Sequence, residues 1–400
     1  MKPLTGERVI DLTQNVAGPY CTQVLADLGA EVIKIERPQG GDDTRQWAPQ
    51  MGAGMSPTYA TLNRGKRSLV LDLDHAEGQG LLRRLLRPTD VLIHSLKPGS
   101  AEQRGFGYDD LAADRPGLIY CALSAFGTLG PLAPLPGYDP LIQAYAGIMS
   151  VTGHEGAEPA RVGVSLVDMG TGLWSALGIV AAIAQRKDTG RGVRVDTSLL
   201  ETGVAWMTNP IANYSVSGKL PRRLGSATAM LAPYEVLDTA DSRVFVGCGN
   251  DRLFAKLAHA LEQPGLAADA RFATNANRVE HRVALKAALV AVTRTLPSID
   301  VVNRLRGCGV PVSAVHDLEQ VLGDAQVKAL GLHRTLHVTN EEGLTVEACA
   351  VGLPIRFNGE REFAPELSFR SGQDSRALLR QLAVSDADID RLAAQGVVNL

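Results

Sequence analysis

Four hundred residues, 45% hydrophobic and 21% charged, have the composition of a globular protein with more chain than one ordinary core holds, so two domains are expected. A formal net charge of −3 leaves no basic excess to neutralise phosphates over a surface, which argues against nucleic-acid and anionic-membrane partners. The five cysteines (Cys21, Cys121, Cys248, Cys308, Cys349) lack any C-x-x-C spacing, which excludes a thiolate zinc site and fits reduced thiols in the cytosol.

Val9 to Leu12 reads as a first strand. A turn over 15–19 leads to a helix over 20–28, stopped by Gly29. Residues 31–35 form a second strand, which leaves through Glu36-Arg37-Pro38 into a Gly/Asp-rich loop. A third strand over 68–73, a helix over 76–86 and strands over 90–93 and 118–123 follow. Short buried strands alternating with helices predict a doubly wound parallel α/β sheet. Residues 206–232, turn-rich and carrying Lys219, Arg222 and Arg223, read as a linker to a smaller α/β domain over 233–321. A second, irregular linker over 322–352 is expected before two amphipathic helices, 375–382 and 386–395, close the chain.

Gly52-Ala53-Gly54 has no strand before it, and Gly247-Cys248-Gly249 has no third glycine, so neither is a dinucleotide fingerprint. The first residues lack the apolar core of a signal peptide, and the longest apolar run, 173–184, is too short for a bilayer. A soluble, cytoplasmic protein is expected.

The segment 161–185 reads as a short extended piece ending at Asp168. A helix follows, apolar on every side through Leu173, Trp174, Leu177, Ile179, Val180 and Ile183, and therefore buried. Gly170 and Gly172 let a backbone or a ligand come close. Free N–H groups and the helix dipole at that end favour an anionic carboxylate. Asp168 is then either an N-cap or a nucleophilic carboxylate on a rigid element.

Several segments together resemble the class III CoA-transferases, the L-carnitine dehydratase/bile-acid-inducible protein family. They are AGPYCTQVLADLGAEVIKIERPQGGDDTR (17–45), NRGKRSLVLDL (63–73), DVLIHSLKPG (90–99), FGTLGP (126–131), PGYDPLIQAYAG (136–147), VDMGTGL (167–173), the GRG turn with VDTSLLE (190–201) and VGCGNDRLF (246–254). The similarity runs in order from about residue 5 to about residue 330.

The resemblance implies a large α/β domain made by residues 1–205 with the tail 353–400, a small domain between them, and two chains threaded into an interlocked homodimer. Asp168 matches the family nucleophile. It would attack an acyl-CoA to give an anhydride and then an aspartyl-CoA thioester, which a carboxylic acid acceptor consumes. An ordinary aspartate pKa of about 4 would keep it anionic at pH 7. CoA enters as substrate, with succinyl-CoA a candidate donor, and neither a tightly bound cofactor nor a metal is expected.

By position, CoA contacts fall on Val16 and Ala17, on Arg37, on Leu71, Asp72, Leu73 and Asp74, on Ser95, Leu96 and Lys97, and on Gly137, Tyr138 and Asp139. Where many members read E-N-F-R-P-G, this chain reads His94-Ser95-Leu96-Lys97-Pro98-Gly99, so Lys97 or Arg104 must supply phosphate charge. Gly247 and Gly249 match the family's oxyanion loop loosely. Arg222 and Arg223 could grip a second carboxylate of a dicarboxylate acceptor, or be solvated linker charge. The rival on the same fold is an α-methylacyl-CoA racemase. That chemistry places a histidine where this chain has Tyr138, leaving His94 and His154 as the nearby histidines.

Overall fold

The computed structural model describes residues 2–51, 55–339 and 345–400, so the Gly52-Ala53-Gly54 turn lies outside the described residues. The chain divides into two units. The first comprises Met1–Ile148, Arg161–Val216 and Gly331–Leu400; the second comprises Met149–Ala160 and Ser217–Leu330.

The first unit is built on a parallel sheet of β1 (Arg8–Leu12), β2 (Glu31–Glu36), β3 (Lys66–Val70), β4 (Val91–His94), β5 (Ile119–Ser124) and β6 (Arg194–Ser198), in the order β3-β2-β1-β4-β5-β6. Ile10 stands beside Ile33 on one side and Leu92 on the other. Side chains alternate across the pleat, so successive residues of β1 enter different cores. Ile10 packs with Ile33, Leu92 and Leu82, and the C-terminal helices Ser375–Gln381 and Asp386–Ala394 cover that face with Leu378, Leu379 and Ile389. Val9 packs on the opposite face with Val24, Leu25, Ile179 and Ile183. Strands covered on both faces are mainly apolar, which is why β4 and β5 read as short unbroken runs, although β1, β2 and β3 also bury Asp11, Lys34 and Lys66. From β1 the chain winds outward through β2 and β3, then returns to β4 on the other side. The carboxyl ends of β1 and β4 therefore form a topological switch point, where folds of this kind bind ligands.

The second unit holds an antiparallel sheet of β7 (Tyr234–Asp238), β8 (Arg243–Gly247) and β9 (Val312–Ala314). Its core gathers Leu237, Val244, Val246, Phe254, Leu257, Leu285 and Leu305.

Three expectations are corrected. The stretch 206–232 is not linker throughout, because Thr208–Ser217 is a helix of the first unit. Pro210 sits in that helix's first turn, where no intrahelical bond needs its missing N–H. The stretch 322–352 is not irregular either. It contains a helix, Ala325–Leu330, and an antiparallel hairpin of β10 (His333–Thr339) and β11 (Thr345–Val351). Leu336 and Ala350 of that hairpin are buried with Met51, Met55 and Tyr59, contacts too distant in sequence to read from local pattern.

The third correction concerns the long helix. It begins at Leu166, before Asp168, and runs to Thr189. At 24 residues and a mean hydropathy of 1.6 in its most apolar window it is long and apolar enough to cross a membrane by length and composition, because the apolar pattern extends N-terminal of residue 173. In the fold it lies on the sheet as a core helix does. Ala176, Ile179, Ala182 and Ile183 are buried, while Met169, Leu173, Trp174 and Leu177 form an exposed stripe on the other side. Burial on every side does not hold within a single chain.

Candidate active site

A cleft of about 340 Å³ opens at the switch point. Its walls are the loop after β1 (Gln14 to Gly18), the loop after β4 (Ser95 to Pro98), Ser124 and Ala125 after β5, the segment 133–138, and Asp168. Cleft volumes of this order suit part of a cofactor-sized ligand. The β1 loop runs into the helix Ala17–Asp27, whose first-turn N–H groups have no intrahelical acceptor and suit an anion. Ser95 ties two walls together, its Oγ accepting the Gln14 N–H at 3.2 Å. Gly172 is needed for packing, since a Cβ there would stand 2.4 Å from the Ala17 carbonyl oxygen. The glycine brings the long helix against the cleft's own loop.

Asp168 sits in the first turn of the long helix, half-buried. Ser165, at the cap position, makes no capping bond. The cap comes instead from Asp139, at the start of the helix Asp139–Tyr145. Asp139 Oδ2 accepts the N–H groups of Val167 at 2.7 Å and Asp168 at 3.1 Å. Its Oδ1 accepts Gln143 Nε2 at 2.6 Å, and Gln143 Oε1 accepts the Val162 N–H at 2.8 Å. Asp139 and Gln143 are both buried.

This arrangement reverses the expected electrostatics of Asp168. The helix-end N–H groups that were to stabilise its anion are taken by a second carboxylate. Burial, and then the charge of Asp139, push the Asp168 carboxyl up to about 7. It is therefore about half ionised at neutral pH rather than fully anionic.

Val16, Ala17, Ser95, Leu96, Lys97, Gly137 and Tyr138 line the cleft with Asp168, and Asp139 caps the helix that carries Asp168. Other residues singled out from the sequence do not line it. Arg37 donates to the Gly41 carbonyl at 3.1 Å and pairs with Asp43 at 2.5 Å; Asp43, not Arg37, is in the wall. Leu71 is buried, Leu73 packs against the sheet core, and Asp72 Oδ1 accepts the Asp74 N–H at 2.9 Å. Arg104 is committed to Asp74 at 2.5 Å and to the Ser100 carbonyl at 3.1 Å.

Four more belong to the second unit. Arg222 pairs with Glu155 at 3.1 Å in an exposed contact, and Arg223 is half-buried nearby in sequence. The Gly247 N–H donates to the Pro311 carbonyl at 3.0 Å, so it is not free as an oxyanion donor, whereas Gly249 has open space around it. Sequence reasoning missed Gln14, Asn15, Ser124, Trp47 and Leu199 in the cleft wall. For Gln14, Asn15 and Ser124 the available signal was their position at or after a strand's carboxyl end.

His94 is a core residue. Its Nδ1 accepts the Leu96 N–H at 3.2 Å, its ring meets Tyr120 edge-on at 5.2 Å, and burial with Arg194 lowers it to about 4. It is neutral at physiological pH, and no histidine lines the described cleft. His154 lies in the second unit. Among the described residues no group of three or more His, Cys, Asp or Glu side chains is placed to hold a metal ion.

Comparison with known proteins decides the family. The sequence profile of CoA-transferase family III matches residues 4–369. The chain belongs to CoA-transferase family III.

Relatives of this CoA-transferase include the succinate–glutarate CoA-transferase of Agrobacterium fabrum, 39% identical over 86% of this chain and 87% of the relative. The succinyl-CoA:glutarate CoA-transferase of Mus musculus is 34% identical over 100% of this chain and 91% of its own length. The acetyl-CoA:oxalate CoA-transferase of Acetobacter aceti is 35% identical over 96% of this chain and 97% of its own. Among solved structures, a CaiB/BaiF family protein from Brucella suis superposes with a TM-score of 0.84 at 38% identity, covering 95% of this chain and 99% of that one. The enzyme is a CoA-transferase acting on CoA thioesters, with the mixed α/β fold of that family.

Proposed function

We propose that this CoA-transferase moves CoA from succinyl-CoA to a short carboxylic acid, through an anhydride and a thioester formed on Asp168. One observation carries this reading: Asp168 presents a desolvated carboxyl, raised to about 7, to the cleft at the switch point. A carboxylate of that basicity is a stronger nucleophile than an ordinary aspartate, and about half of it is ionised at pH 7.

Asp168 Oδ attacks the thioester carbonyl, and collapse of the tetrahedral oxyanion expels CoA thiolate and leaves an acyl–aspartyl anhydride. The thiolate attacks the aspartyl carbonyl, expelling the donor acid and leaving an aspartyl-CoA thioester. The acceptor carboxylate then displaces thiolate to form a second anhydride. The returning thiolate takes the acceptor's acyl group and regenerates the Asp168 carboxylate. Each oxyanion needs N–H donors preorganised where the charge develops.

Lys97, exposed in the cleft wall, supplies charge to the CoA phosphates in preference to the committed Arg104. The first-turn N–H groups at Val16 and Ala17 complete the phosphate site. Racemisation is disfavoured because it requires a base on each face of the substrate, and the cleft wall carries no histidine. The exposed stripe of the long helix and its Trp174–Trp206 pair, 6.0 Å between ring centroids, support a homodimer through this face. Five free cysteines support a cytoplasmic home.

A dicarboxylate acceptor is inferred from the relatives' names, which include succinate–glutarate, succinyl-CoA:glutarate and acetyl-CoA:oxalate CoA-transferases. The test is a panel of carboxylic acids against succinyl-CoA, with CoA-ester products resolved by chromatography. Glutarate and its homologues should lead the panel, and Asp168→Ala should abolish all transfer. Preference for short monocarboxylates would end the dicarboxylate assignment. Full activity of Asp168→Ala would end the mechanism.

A further inference from the structure

Directly beneath the cleft loop lies a set of buried charges that the chemistry does not use. Lys34, on β2, and Asp42, in the loop that follows, are both buried, with Lys34 Nζ 2.8 Å from Asp42 Oδ2. Isolated charges at such depth are costly, and a pair survives there only when its remaining hydrogen-bonding capacity is used. Here it is spent partly on Thr44, whose N–H and hydroxyl donate to Asp42 Oδ1 at 3.0 and 2.8 Å, and partly on the loop that walls the cleft. Lys34 Nζ donates to the Thr13 carbonyl at 2.9 Å, and Asp42 Oδ1 accepts the Asn15 N–H at 3.3 Å. Asn15 adopts a left-handed conformation, φ 65°, which asparagine tolerates better than most non-glycine residues.

The neighbouring charges brace the same segment. Asp11 Oδ1 accepts the Thr13 N–H at 2.8 Å, and Lys66 Nζ donates to the Pro19 carbonyl at 3.0 Å. The backbone from Thr13 to Pro19 is thus tied from below at four points, three of them within Thr13 to Asn15. Burial opposes charge on Lys34, but the carboxylates of Asp42, Asp11 and Glu36 outweigh it and hold the ammonium above its ordinary range. Packing alone would have been served by apolar residues of the same volume.

We propose that the Lys34–Asp42 ion pair is a positioning device for the substrate, fixing the loop 13–17 so that its N–H groups meet the phosphates of CoA. Neither residue lines the cleft; both act through the backbone they hold. The proposal rests on the reading of this cleft as the CoA site.

The charges should be removed together, since removing one strands the other. In Lys34→Met/Asp42→Asn the amide Oδ1 still accepts from Asn15, while the bond to the Thr13 carbonyl and the ion pair are lost. Calorimetric titration with free CoA should give a dissociation constant raised at least tenfold. Amide hydrogen exchange should quicken in peptides covering 13–17 and stay unchanged in those covering β4 and β5. At saturating acyl-CoA, kcat should fall less than twofold while KM rises with the dissociation constant.

A folded double variant with unaltered CoA affinity and exchange would overturn the proposal, and so would a fall in kcat at constant KM. Should the double variant fail to fold, Lys34→Gln/Asp42→Asn removes both charges together while keeping a polar group at each position. It must then show the same changes at smaller amplitude, and unaltered values would overturn the proposal equally. Binding of free CoA requires no acyl transfer, so inactive chemistry at Asp168 leaves these readouts in place. Absence of CoA binding by the unaltered enzyme would instead defeat the transfer reading.

Discussion

Replacing Asp168 by asparagine should make the fold more stable at neutral pH while abolishing transfer. The carboxyl is raised from 3.8 to about 7 by burial and by Asp139, so the folded state holds a proton that the unfolded chain has already released. A folded pKa above the unfolded value means that stability is highest below about pH 4 and falls as pH rises towards 7, then levels off. Roughly three units at about 1.36 kcal/mol each give an upper bound of ~4 kcal/mol. Because the carboxyl borders a solvated cleft, about half of that is the working figure.

In the Asp168→Asn variant the amide has no proton to lose. The stability gap between variant and parent should therefore widen by roughly 1–2 kcal/mol between about pH 5 and about pH 7.5. Urea unfolding followed by tryptophan fluorescence, at one fixed protein concentration, measures it. Parallel stability–pH curves would refute the reasoning, and a gap that widens towards acid would contradict its sign.

Asp139→Asn removes the like charge but keeps an oxygen for the helix N–H groups, so the acid limb of kcat/KM, expected near pH 7 in the parent, should move to lower pH; an unmoved limb would leave burial as the sole cause. Asp139→Ala also removes the cap and should cost about 1–2 kcal/mol of stability in the same urea assay. Trp174→Glu/Leu177→Glu places two charges in the exposed apolar stripe and, on the proposed homodimer, should shift the species seen by sedimentation velocity from dimer to monomer; an unchanged sedimentation coefficient would refute that interface.

Much of the sheet was readable because β4 and β5 are short apolar runs, and β1 a largely apolar one, bounded by turn residues, whereas β3 and β6 carry charged residues; the position of the cleft followed from strand order. Asp168 could be singled out as the candidate nucleophile only through the family resemblance, since local pattern alone left it indistinguishable from a helix cap. Its electrostatics were not readable. They depend on Asp139 reaching across 28 residues to cap the helix at Val167, a contact no periodicity encodes. The hairpin over 333–351 was missed for a similar reason, because its charged and histidine-bearing strands become half-buried only against Met51, Met55 and Tyr59. The long helix misled in the opposite direction. Its sequence is apolar all round, yet within one chain only one side is covered.

The central claim is that acyl transfer passes through a covalent bond to Asp168, and trapping that bond tests it most directly. The enzyme is incubated with succinyl-CoA without acceptor, quenched with hydroxylamine, digested, and the peptide carrying Asp168 analysed by mass spectrometry. The predicted product is an aspartyl hydroxamate at Asp168, dependent on succinyl-CoA and missing when free CoA replaces it. An unmodified Asp168 in enzyme that turns over under the same conditions, or a hydroxamate at another carboxylate such as Asp139, would contradict the claim.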